Sequence, residues 1–467
     1  MPVPKEAAFW SVAKLGKQLR AGDFTSVALT EFFIERLKTI GDKLNAVVTV
    51  PEELALKQAK LADEGLAGGK DRGPLHGIPY GAKDLLATIG IKTTWGAAPF
   101  KDQLIDVDAT VITRLRDAGA VLVTKLAMVE LAGGFGYRQA NASFTGPGLN
   151  PWNSNHWSGG SSSGPGSAVG GGLVPFAIGS ETWGSIMTPA AFCGISGLRP
   201  TYGRVSRYGA MALSWTMDKL GPMCRTADDC GLVLNAIAGA DPNDASCVDR
   251  PYQYPDKHDK PCRFKVAVLK GSADKVQPEV KANFEKSLEI LKEFCEVGET
   301  ELPEGLPYNS APSIILSSEL AAAFDDFISS GDVWELTAED DHWGALPCMV
   351  IPAKDYINAT RVRVHIQMAM DKLLAQYDAI LTPTLATVSY PNDQPWREYR
   401  RGFSNSDIGG AGNVTGIPAI SIPNGFGENH LPTGLQLVGR AFDENRILAI
   451  AKRYQELTDW HEETPEV

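Results

Sequence analysis

The sequence predicts an α/β fold, a β-sheet covered by helices, and three observations carry that reading. Helical and strand patterns alternate through the first third of the chain and again near its end, the signature of a sheet flanked by helices. The run Leu173, Val174, Pro175, Phe176, Ala177, Ile178 is apolar throughout and reads as a buried strand. The composition, 43% hydrophobic and 21% charged over 467 residues, is that of a globular protein with room for a large core.

The elements follow in order. Residues 26–40 place Leu29, Phe32, Phe33 and Leu37 at helical spacing before Gly41. Residues 44–50 read as a strand, and 52–66 as a second amphipathic helix ended by Gly68 and Gly69. Residues 77–82 read as a strand, 108–118 as a helix and 120–124 as a strand. A helix is expected over 228–239. The Pro- and Asp-rich segment 241–262 then reads as a surface loop. Residues 264–270 suit a strand, and Val280, Phe284, Leu288, Leu291 and Cys295 recur at helical spacing. Residues 300–350, with Trp334 and Trp343, read as irregular, and a long helix is expected over 354–376. Strands at 379–382, 419–423 and 434–439 and a helix near 444–457 close the chain. No internal repeat is visible. One domain over 1–467, with a variable helical insert around 300–375, is the economical organisation.

Composition also excludes function classes. A net charge of −12 argues against a nucleic-acid-coating surface, which needs clustered Lys and Arg. Nothing approaches ~18 consecutive apolar residues, so no transmembrane helix is expected. The N-terminus lacks a secretory pattern, and a cytoplasmic location is the expectation. Cysteines 193, 224, 230, 247, 262, 295 and 348 are scattered without CxxC and read as buried thiols, with no disulfide framework. The seven histidines form neither HxH nor HExxH. No metal and no cofactor is expected.

The chemistry concentrates in 158–201, SGGSSSGPGSAVGGGLVPFAIGSETWGSIMTPAAFCGISGLRPT. Two glycine turns there carry serine: Gly159-Gly160-Ser161-Ser162 and Trp183-Gly184-Ser185. Glycine lets backbone N–H groups approach a substrate closely. A serine beside such donors has what acyl transfer needs, a nucleophile next to an oxyanion site. A flexible linker would not carry the apolar run 173–178 or the block Pro189 to Cys193. A phosphate-binding loop would end in Gly-Lys-Ser/Thr or open as GxGxxG, and neither is present.

Together with GIPYGAKD at 77–84, this stretch resembles the amidase signature family. The likeness runs from ALTEFFIERL to GLQLVGRAF, is most specific in 77–84 and 158–201, and extends to NVTGIPAISIPNGF near the C-terminus. It implies a large mixed central sheet covered by helices on both faces, with a signature core at about 77–240. It further implies a Ser–Ser–Lys triad: Ser185 as nucleophile, Ser161 as bridging serine with a cis peptide after Gly160, and Lys83 as base. A lone lysine is ordinarily a solvated surface residue. As a base it must be neutral, which burial can achieve. The backbone N–H groups of Thr182, Trp183, Gly184 and Ser185 are the implied oxyanion donors. Ser162 either supports the relay or bonds its own turn.

The chain departs from the family pattern at Trp183, where glycine is usual, and at Met187, where arginine often stands; Ser163 and Pro165 replace small or glycine residues. None of these removes a triad member. Trp183 either shapes an acyl pocket or packs into the core. Arg363 and Asp407 are candidate substrate anchors, Arg363 reading equally well as a helix-surface charge. The expected activity is hydrolysis of a small aryl or apolar amide, with esterase or carbamate-hydrolase side activity. The alternatives are the glutamine-hydrolysing A subunit of a tRNA-dependent amidotransferase and a catalytically idle binding protein. The expected partner is a small-molecule amide, and the expected state a monomer or homodimer.

Overall fold

In the computed structural model, which describes residues 2–255 and 263–467, eleven strands form one mixed sheet. In chain order they are β1 Val47–Thr49, β2 Pro79–Lys83, β3 Val121–Leu126, β4 Phe176–Glu181, β5 Ser196–Arg199 and β6 Lys219–Cys224, followed by β7 Phe264–Leu269, β8 Cys295–Thr300, β9 Ala379–Pro383, β10 Ala419–Phe426 and β11 Pro432–Val438. Their spatial order is β1-β3-β2-β4-β6-β5-β10-β11-β9-β7-β8. The trio β3, β2 and β4 is parallel, as is β9, β7 and β8, and antiparallel pairs join the two. This is the large mixed sheet expected of the family.

Alternation along each strand explains why the sheet is covered on both sides. Phe176 and Ile178 of β4 enter one apolar core, while Ala177 enters the other. Leu122 of β3 joins the first core, and Val121 and Val123 the second. Side chains of period two therefore feed two cores, and such strands read as continuous apolar runs. At the sheet's edges, β1 has only three residues and β8 carries exposed Glu296 and Glu299. Short or charged edges discourage pairing with another chain. No helix of the described residues is long and apolar enough to cross a membrane.

Several sequence expectations shift. The strand predicted over 173–178 runs instead over 176–181, because Leu173 and Val174 belong to the buried turn after a helix at Ser163–Gly170. Glycine and proline disguise that helix. Packing decides it: a Cβ on Gly164 would meet the backbone N and O of Ala127 at 2.5 Å. Cys295 is not on the helix of residues 278–291 but opens β8, which the sequence reading passed over. Residues 300–350 are not irregular, since helices form at Ser310–Ala323, Asp325–Ser330 and Glu339–Gly344. The first of these, SAPSIILSSELAAA, has no apolar stripe of helical period for a sequence reading to find. The last part of the expected loop 241–262, with Cys262, lies outside the described residues.

Candidate active site

Lys83 ends β2, a strand buried along its whole length between β3 and β4. Gly81 permits this close packing, because a Cβ there would sit 2.3 Å from Leu126 Cδ1. The lysine is fully buried. Its Nζ donates to Ser161 Oγ at 2.8 Å, Ser180 Oγ at 2.9 Å and Ser162 Oγ at 3.1 Å. Among the described residues no carboxylate forms an ion pair with it. Burial pulls its pKa down to about 7, against the opposing fields of Asp218 and Glu181. Three hydroxyls match the three donors of an ammonium. They equally suit a neutral amine that donates twice and accepts once.

The two serine turns meet at this amine. Gly160–Ser161 is a cis peptide, and Ser161 is almost fully buried. Ser162 does not close on its own turn. Its hydroxyl donates to the Ser180 carbonyl at 3.2 Å and accepts from the Ser180 N–H at 3.3 Å, clamping the turn to β4. The Ser162 N–H donates to the Ser185 carbonyl at 3.3 Å, joining the first turn to the second. The Ser185 and Ser161 hydroxyls are not hydrogen-bonded to each other here, and such contacts often tighten only around substrate.

Two buried carboxylates shape the loop that carries Ser185. Glu181 Oε2 accepts the N–H groups of Ile186 at 2.8 Å and Met187 at 3.0 Å, while its Oε1 accepts from Arg199 at 2.9 Å. Arg199 and Lys219 hold this carboxyl below its usual range despite burial. Asp218 accepts from the Thr182 hydroxyl and from the N–H groups of Leu213 at 2.8 Å and Ser214 at 3.0 Å. Gly184 takes the left-handed conformation at φ +87°, and the Thr188 N–H closes the turn onto its carbonyl at 2.7 Å. The backbone N–H groups of Thr182 to Ser185 meet no acceptor among the described residues. They are available to an oxyanion.

Ser185 opens onto a cavity of about 220 Å³ that also touches Gly160 and Trp183. Aromatic rings form much of its wall: Trp157 and Trp396 stack at 4.3 Å, with Tyr390 6.1 Å from Trp157. Trp183 is half-buried on that wall, its Nε1 3.7 Å from where a Cβ on Gly409 would be.

The two expected substrate anchors lie elsewhere. Arg363 donates to the Thr216 hydroxyl and carbonyl, both at 2.6 Å, and does not line the cavity. Its helix delivers it to a neighbouring loop. Asp407 is exposed, accepts from Asn309 at 2.8 Å, and faces a different surface depression. Arg400 and Asn405, a few residues upstream of Asp407, do line the cavity. The sequence reading also missed Ser180, Glu181 and Asp218. Ser180 and Glu181 could have been found, since they stand immediately before the second serine turn. Asp218 had no local signal, because it arrives from β6's approach. His156 is nearly buried and does not line the cavity. Among the described residues no cluster of three or more His, Cys, Asp or Glu side chains could hold a metal ion.

The amidase family model matches residues 28–448, a span that includes both serine turns and Lys83. This chain belongs to the amidase family. Membership places it among hydrolases of carbon–nitrogen bonds. This amidase is 36% identical to the A subunit of the glutamyl-tRNA(Gln) amidotransferase of Roseiflexus castenholzii, over 98% of its own length and 97% of that protein. Among solved structures it is similar to the native peptide amidase of Stenotrophomonas maltophilia, with 28% identity, a TM-score of 0.84 and 96% of each chain covered. The A subunit of the Thermotoga maritima glutamyl-tRNA(Gln) amidotransferase is comparably similar, at 27% identity and a TM-score of 0.81 over 98% of this amidase and 96% of that chain.

Proposed function

We propose that this chain hydrolyses a small aryl or apolar amide through an acyl-enzyme on Ser185. The observation that carries this reading is a buried lysine with a pKa of about 7, ringed by serine hydroxyls beside a cavity-facing serine. Neutral Lys83 takes the proton of Ser161, which takes that of Ser185, as Ser185 Oγ bonds to the amide carbon. The N–H groups of residues 182–185 receive the negative oxygen. Protonated Lys83 then returns its proton through Ser161 to the amide nitrogen, the C–N bond breaks and the amine leaves. Water repeats the relay on the ester and releases the carboxylic acid. Esters and carbamates share the tetrahedral intermediate and are expected side substrates.

The aromatic wall supports the apolar acyl group, and Trp183 is its testable member. Trp183→Gly is expected to change the ranking of acyl groups by about tenfold or more in kcat/KM. A lower melting temperature with an unchanged ranking would assign the ring to packing alone.

The names of the curated relatives favour a second reading over the first: a glutamine-hydrolysing subunit that works with protein partners. Arg363 and Asp407, away from the cavity, give that reading no charged pair around glutamine. One assay separates the two. The purified chain is offered glutamine, anilides, primary amides, carbamates and nitrophenyl esters side by side. Turnover of anilides or primary amides without glutamine hydrolysis supports the first reading. Glutamine hydrolysis alone supports the second.

A further inference from the structure

We propose that the cavity holds a carboxylate-selective subsite, built by Arg400 and Asn405, so that the substrate is an amide carrying a carboxylate. This rests on the amide-hydrolase reading and deepens it: the acyl group lays an apolar stem on the aromatic wall and ends in the carboxylate. Four observations converge. Among the described residues the cavity is lined by one cationic side chain, Arg400, and by no Asp or Glu, in a protein whose net charge is −12. Arg400 forms no ion pair and no side-chain hydrogen bond among the described residues. It rests over the Tyr390 ring at 5.9 Å, which fixes the guanidinium without using its N–H groups. Asn405 is oriented by the Ala386 N–H, which donates to Oδ1 at 2.8 Å and leaves the Nδ2 donors without an acceptor. The indole nitrogens of Trp157 and Trp396, two residues of the same wall, are sealed from water and have no hydrogen-bond partner among the described residues, so no acceptor of the protein's own competes from behind that wall.

The subsite is thus rich in donors and lacks an anion of its own. A carboxylate is the complementary group, because it only accepts hydrogen bonds and pairs with guanidinium as a fork. An ammonium finds no counter-charge there and must leave water for a cation and the amide donors of Asn405. Free amino acids carry both charges, so they fit less well than a mono-anionic amide. Arg400 and Asn405 lie on one stretch, which returns from the aromatic wall at Trp396 toward the helix at Ile408–Thr415. Recognition in this chain therefore resides in residues 396–405, downstream of the catalytic core.

The test uses three p-nitroanilides with acyl chains of equal length: glutaric mono-p-nitroanilide, pentanoyl p-nitroanilide and aminopentanoyl p-nitroanilide. The full-length protein is expected to prefer the anionic compound over the neutral one by about tenfold or more in kcat/KM, with the cationic compound poorest. Arg400→Met should reduce the anionic-to-neutral ratio to near one, and Arg400→Lys should restore part of it. Arg401→Met, which alters an exposed neighbour, should keep the ratio. A ratio that survives Arg400→Met overturns the proposal, as does equal acceptance of the cationic compound. Calorimetric binding to the Ser185→Ala protein repeats the comparison without turnover. Absence of hydrolysis in the unaltered protein would then count against the amidase reading alone, whereas binding without charge preference, or no binding of the anionic compound, overturns the subsite.

Discussion

Ser185→Ala is expected to lower amide turnover by about three orders of magnitude or more while leaving the melting temperature nearly unchanged. Ser185 lines the cavity, and its hydroxyl makes no hydrogen bond among the described residues, so its loss orphans no partner there. The backbone that shapes the loop is held by Glu181 and Asp218, and both remain in the variant. The donors for the oxyanion also remain, and a small residual rate over the uncatalysed reaction is expected from them. Intact-mass measurement with a slow carbamate should find one adduct on the unaltered protein and none on Ser185→Ala. A modified residue other than Ser185 would remove the acyl-enzyme from this mechanism.

Lys83→Met should be nearly as damaging, and here the pH profile is the sharper measurement. Burial lowers the lysine's pKa to about 7, so the amine is protonated and idle as a base below that value and neutral above it. Activity should therefore rise with pH through about 7 and stay on a plateau into the mildly alkaline range. Acylation and deacylation use the same relay, so both should slow in Lys83→Met, with single-turnover kinetics as the measurement. The rising limb should vanish from whatever residual activity is left. Near-normal turnover in Lys83→Met would rule out the lysine as base, and loss of activity in His156→Ala would point to an imidazole instead.

Most of the strands and the neighbourhood of the chemistry were legible because they depend on local pattern. The runs around Val121 and Phe176 are apolar on both faces, and the glycine turns carry serine at recognisable positions. What escaped was set by contacts between distant segments. The helix at 163–170 has a composition of poor helix formers and exists because Gly164 and Gly166 let it press against β3 and the helix at 187–193. Ser180 and Asp218 reach the site through strand register, which no single segment encodes. Arg363 failed as an anchor because its helix phase carries it to Thr216. Asp407 stands only two residues from the cavity-lining Asn405 yet faces another depression, because displacement by even one position changes which face of a turn a side chain occupies.

The pairing of Glu181 with Arg199, with side chains 0% and 2% exposed, has a further consequence once ions are added to the solvent. Dissolved salt screens charges that water can reach, with a Debye length of about 3 Å at 1 M, and acts far less on pairs sealed in the interior. The brace behind Ser185 is of the second kind, while Arg400 on the cavity wall is of the first. Molar potassium chloride should therefore raise KM for an anionic amide and leave kcat almost untouched. Ionic strength becomes a dial that turns recognition down without touching the chemical step.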